Sequence, residues 1–111
     1  MTSILINLDE PVFSPVINMS LMQMIRDGNF QWPNGATCVT QESDGELLWW
    51  SAPVNEVKAA MKVAKPGVGL IPLIGLGAQI NSDYYEIDEQ AFVARDWQSE
   101  VVTLEQFVSI D

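Results

Sequence analysis

The sequence predicts an α+β fold, a small antiparallel sheet with one or two packed helices, and three observations lead there. Two apolar, strand-forming runs, "ATCVTQE" and "ELLWWS", flank Ser43-Asp44-Gly45, which is a hairpin signal. The segment "SAPVNEVKAAMKVAKPG" carries apolar residues at helical spacing between prolines. The remaining apolar runs are short, are punctuated by Gly, Pro, Asn and Asp, and show no repeat or linker. At 111 residues the chain reads as a single globular domain, 1–111.

In chain order, "SILINLD" reads as a first strand, ended by Asp9-Glu10-Pro11. Residues 14–28 read as a helix with Ser14 as N-cap, Pro15 in its first position and Gly28 as its stop. Met19, Met22 and Met24 are expected to fill core space, the commoner use of this flexible side chain. In the hairpin, a three-residue loop with glycine last predicts a type I turn plus bulge, with Gly45 left-handed. That register sets Glu42 opposite Glu46, Gln41 opposite Leu47, Thr40 opposite Leu48, Val39 opposite Trp49 and Cys38 opposite Trp50. Both faces are then apolar, so both need covering, and Trp50 is a candidate anchor for a partner. The next helix starts at Pro53 and stops at Pro66-Gly67, with Val54, Val57, Met61 and Ala64 on one face and Lys58, Lys62 and Lys65 in an adjacent exposed stripe. Residues 67–80 read as a glycine-rich loop holding a buried strand near Leu70–Ile74. "DYYEIDE" and "AFVARDW" read as short strands, and alternation in the first sends Tyr84, Glu86 and Asp88 outward and Tyr85, Ile87 and Glu89 inward. "VVT" reads as a last strand, with Thr103 capping a final helical turn.

The chain has no histidine, which removes Ser-His-Asp and Cys-His catalysis and the usual mixed zinc sites. Cys38, the one cysteine, reads as a packed residue, and a lone cysteine fits a reducing compartment. Gly67 and Gly69 are followed by Pro72 where a dinucleotide fingerprint needs its third glycine, and there is no Gly-Lys-Ser/Thr phosphate loop. The acids of "DYYEIDE" lack the central glycine of a calcium loop. The expectation is therefore a non-enzyme with no catalytic, cofactor-binding or metal-binding residue. The N-terminus lacks the basic region of a signal peptide, and "VGLIPLIGLGAQI" is too short to span a bilayer, so a cytoplasmic protein without membrane contact is expected.

Charge is the strongest compositional signal. Fifteen acids against five bases give a net charge of −10, and residues 83–111 hold eight of those acids against Arg95 alone. Such a surface repels nucleic acid and favours a cationic partner. The residues expected to contact that partner are Asp83, Tyr84, Glu86, Asp88 and Asp96, with Trp50. Carboxylates displayed in place of phosphates would meet the lysines and arginines of a nucleic-acid-binding groove.

The hairpin segment, with Trp32, Pro33, Gly35, Ala36, Thr37, Asp44, Gly45, Trp49 and Trp50, resembles a motif of small accessory proteins of bacteriophages and prophages. Asp96-Trp97, followed by Val101, Val102, Thr103 and Glu105, extends the resemblance to about a third of the chain. It implies a binding protein without catalytic residues. The expected function is inhibition of host nucleic-acid-handling machinery, of the anti-restriction or anti-CRISPR kind, through a basic surface of a host protein or nucleoprotein. The alternatives are a phage structural or assembly protein, and an immunity protein or antitoxin against a basic toxin.

Overall fold

The computed structural model describes residues 13–65 and 67–109. The strand expected over residues 3–9 lies outside them. The fold is α+β, as the sequence predicts. Its centre is a four-stranded antiparallel sheet built from β2 (Cys38–Gln41), β3 (Glu46–Trp50), β4 (Gln79–Tyr84) and β8 (Val102–Thr103). The strand order is β4-β3-β2-β8. The short pair β1 (Val16–Ile17) and β7 (Val93–Ala94) runs parallel, and β5 (Glu86–Ile87) forms a hairpin with β6 (Gln90–Ala91). The helices are α1 (Leu21–Asp27), α2 (Val54–Val63), α3 (Ile71–Ile74) and α4 (Leu104–Val108).

The β2–β3 hairpin has the predicted register, from Cys38 opposite Trp50 to Gln41 opposite Leu47. The Glu42 N–H donates to the Glu46 carbonyl at 2.9 Å, and Gly45 has φ +97°. The Asp44 carboxylate accepts the Glu46 N–H at 3.0 Å, which closes the turn from within.

Alternation along this hairpin builds two cores. One face carries Val39, Leu47, Trp49 and Val102, covered by Leu21, Met24 and Ile25 of α1 and by Tyr85 and Ala94. The other carries Cys38, Leu48 and Trp50, covered by Val57 and Ala60 of α2 and by Leu70 and Val101. The chain thus covers both sheet faces itself. Trp50 is 0% exposed, which corrects its expected role as a partner anchor: α2 and the segment after it occupy the surface it would have offered. Polar groups in these cores are tied down. The Trp50 indole N–H donates to the Thr40 hydroxyl at 2.9 Å. The Gln41 amide donates to the Gly45 and Phe92 carbonyls and accepts the Ala94 N–H, joining the hairpin to β7.

Two expectations need correction. The helix expected from Ser14 begins only at Leu21, because residues 14–19 spend their backbone groups on partners distant in sequence. Ser14 N–H donates to the Ser43 carbonyl, Val93 N–H to Pro15 and Arg95 N–H to Met19. Ser20 is the true cap, in a capping box with Gln23. The strand expected near Leu70–Ile74 is the helical turn α3, followed by a short 3-10 turn at Leu76–Ala78, and the strand lies later, at Gln79–Tyr84. The reading of the second helix, the methionines and the final helical turn holds. α2 follows Pro53 with Val57 buried and Val54, Met61 and Ala64 packed against the core. Met24 is core, with Met19 and Met22 packed against it. Thr103 caps α4 in a second capping box.

Candidate functional site

The site is the turn end of the sheet, where β3, β4 and the residue that follows β2 each deliver an acid or a tyrosine to the same face. The register places Tyr84 opposite Glu46, and Glu46 opposite Glu42, in a row across three strands. Asp44 arrives from the turn and accepts the Tyr84 hydroxyl at 3.5 Å. Burial raises the Tyr84 phenol above its ordinary range, and the carboxylates of Asp44, Glu46 and Glu86 raise it further. The three charges that raise it are all carboxylates. Asp83 sits beside it and accepts the Tyr84 N–H at 2.8 Å. Below Tyr84 is an open hollow of about 430 Å³, lined by Asp27, Gly28, Phe30, Tyr84, Tyr85, Glu86 and Ile87.

The structure joins Tyr84 and Glu86, whereas Asp83, opposite Leu47, alternates to the other face and meets Tyr84 only through the Tyr84 backbone N–H. It adds Asp44 and Glu46, which sequence reasoning passed over as turn and strand residues. The signal for them was present: a hairpin register that faces Glu42 with Glu46 concentrates like charge at one sheet end. Asp88 stands apart at the tip of the β5–β6 hairpin, where it and Glu89 have φ +52° and +68°. That reversal breaks the expected alternation. Tyr85 turns inward at 6% exposure and donates to Asp27, but Ile87 is 43% exposed, because β5 pairs only with β6 beyond the end of the main sheet. Asp96 is corrected as a surface contact: its carboxylate accepts the Leu21 N–H at 2.8 Å, a negative charge at the start of α1. It is not among the charges acting on Tyr84.

The bases lie elsewhere. Lys58, Lys62 and Lys65 are exposed along α2 and its end. Arg26 donates to the Phe107 carbonyl and Arg95 to Asn18. Glu42 is half-buried. Burial raises its carboxyl above the ordinary glutamate range, the Leu70 N–H opposes that, and Asp44 and Glu46 add to it. Cys38 is fully buried and its thiol is pushed up by burial. Among the described residues no three carboxylates or thiols gather where they could hold a metal ion. No helix among the described residues is long and apolar enough to cross a membrane. Comparison of the chain with models of known families, with curated proteins and with solved structures gives no match.

Proposed function

We propose that this chain is a non-catalytic, phage-type acidic binding protein that docks onto a basic surface of a host nucleic-acid-handling protein and inhibits it. The observation that carries this reading is the row Glu42, Glu46 and Tyr84, flanked by Asp44 and Glu86, in which three carboxylates bear on one tyrosine. Like charges opposed across strands destabilise a sheet, so their concentration asks for a reason outside the fold. Complementary charge on a partner supplies one, because it both relieves the repulsion and speeds encounter. Tyr84, 39% exposed, offers contact area at low entropic cost in the middle of these acids. The resemblance of the tryptophan hairpin to phage accessory proteins points to host machinery as the source of that partner.

The test is a pull-down from host lysate with the wild type and with a Glu46→Lys, Glu86→Lys double variant. The captured protein is then assayed for nucleic-acid binding. The wild type should block that binding. The variant should associate more slowly, with a flatter salt dependence, and should not block. Equal capture by both proteins at low and moderate salt removes this surface from the proposal.

A further inference from the structure

The Glu42 carboxylate faces a cavity of about 140 Å³ between the end of β2, the C-terminal half of α2 and the segment that follows it. Its position is fixed from two sides. One oxygen accepts the Leu70 N–H at 3.3 Å. The other lies against Gly69, where any Cβ would collide with it, and Gly69 has φ +88°. The cavity's remaining walls are of a different character. Met61, Ala64 and Leu70 are aliphatic, and Trp97 adds an indole, whose ring face attracts cations.

A partly buried carboxylate is ordinarily matched by a cation, because desolvation of an unmatched charge is costly. Here the charges acting on Glu42 are Asp44 and Glu46, both negative. Lys65 also stands at the cavity wall, but among the described residues it forms no ion pair with the carboxylate, which accepts its hydrogen bond from the Leu70 N–H. The hydrogen bond does not require the charge, since a neutral glutamine oxygen could also accept the Leu70 N–H. A carboxylate at the wall, apolar sides and an indole together match an alkylammonium group: charge at its tip, methylenes along its stem. The space exceeds that of a single water and suits one side-chain tip.

We propose that this cavity receives the side-chain tip of a lysine from the basic partner, with its ammonium on Glu42 and its methylenes against Met61, Ala64 and Leu70. This rests on the docking reading above, because Glu42 is the inner end of the row Glu42, Glu46 and Tyr84 and a docked basic surface would bring lysines across it.

The experiment needs no identified partner. The full chain is titrated at neutral pH with n-butylammonium, with n-butanol as the uncharged control, and with a blocked Gly-Gly-Lys-Gly-Gly peptide, while NMR follows the Leu70 amide, the Met61 methyl and the Trp97 indole. Saturable shifts at these three reporters are expected with butylammonium and the peptide but not with butanol. Glu42→Gln, nearly isosteric, should weaken both about tenfold or more, and Glu46→Gln should change them by less than about threefold. Ala64→Leu, which fills the space, should also abolish the shifts, so the result does not hang on one variant. No saturable shift in the wild type, or equal binding by Glu42→Gln, overturns the proposal. Binding of butylammonium but not of the peptide overturns the lysine assignment in favour of a free amine. Binding that emerges only in Lys65→Gln overturns it in favour of the chain's own lysine. Each of these outcomes is independent of whether Glu46→Lys, Glu86→Lys loses the captured host protein, so the two proposals fail separately.

Discussion

Trp49 and Trp50 are neighbours in the chain, both fully buried, and they differ in the fate of one atom. The Trp50 indole N–H reaches the Thr40 hydroxyl at 2.9 Å, whereas the buried Trp49 N–H has no hydrogen-bond partner among the described residues. Replacing either by alanine should cost ~3–5 kcal/mol, because each leaves a large cavity in its own core. Phenylalanine separates them. Trp50→Phe breaks a buried hydrogen bond and strands Thr40, while Trp49→Phe removes a donor that is already unpaired, so Trp50→Phe should be the worse by about 1 kcal/mol in urea unfolding. The reverse order would contradict the hydrogen-bond assignment. Glu42 gives a pH prediction at the same scale. Its folded-state carboxyl sits above the ordinary value, so between those two values the folded chain holds more proton than the unfolded one. Stability due to this group is therefore present in acid and is lost as pH rises from the ordinary glutamate range through the raised value. Glu42→Gln should be more stable than wild type at pH 7 and should lose that decline. Parallel stability–pH curves for the two proteins would show that burial does not act on Glu42 as described.

At the scale of elements, the β5–β6 hairpin is built against residue preference. Ile87 pairs with Gln90, so Asp88 and Glu89 form a two-residue loop, and both have positive φ. Such loops favour Asn-Gly, since a side chain in the left-handed region costs roughly 1–2 kcal/mol. Replacing Asp88-Glu89 with Asn-Gly should raise stability by about 1 kcal/mol and leave partner capture intact, because Asp88 stands outside the row around Tyr84. Loss of capture on that replacement would return Asp88 to the contact surface. The β2–β3 turn is the opposite case, since Gly45 occupies its left-handed position and a Cβ there would also press on that of Ala91 at 3.1 Å. Gly45→Val should cost about 1–2 kcal/mol or more, read from the midpoint of denaturation.

At the scale of the whole molecule, charge opposes compactness. The net charge is −10, and the carboxylates of Asp44, Glu46 and Glu86 gather around Tyr84 while Lys58, Lys62 and Lys65 line α2. Raising ionic strength from about 0.01 M to 0.15 M shortens the Debye length from about 30 Å to 8 Å and should stabilise the chain. Glu46→Gln with Glu86→Gln should mimic part of that gain at low salt and reduce the response to added salt. A salt response unchanged by the double variant would place the repulsion elsewhere.

The local rules of the chain determined the hairpin, its register and its turn, because strand alternation and the need for glycine at the left-handed position act within thirteen residues, Cys38 to Trp50. They also set α2 between Pro53 and its C-terminal stop, and α4 behind its Thr103 cap. The capping box Ser20–Gln23 was equally readable and marks the true start of α1, but Ser14-Pro15 offers a competing start signal. Only tertiary contacts decided between them, by pairing Val16–Ile17 with β7 and tying Ser14, Pro15 and Met19 to residues 43, 93 and 95. The same holds for the apolar run at 70–74, whose composition suits a buried strand or a buried helical turn alike. The acidic site divides in the same way. The acids of 83–89 were visible as a charge run, but Asp44 and Glu46 joined them through β3–β4 pairing, and Asp96 is engaged instead by the Leu21 N–H at the start of α1. Trp50 was withdrawn from the surface by α2. Side-chain type and short-range periodicity are properties of the chain, whereas which charge faces which, and which apolar face is already covered, depend on pairings between segments far apart in it.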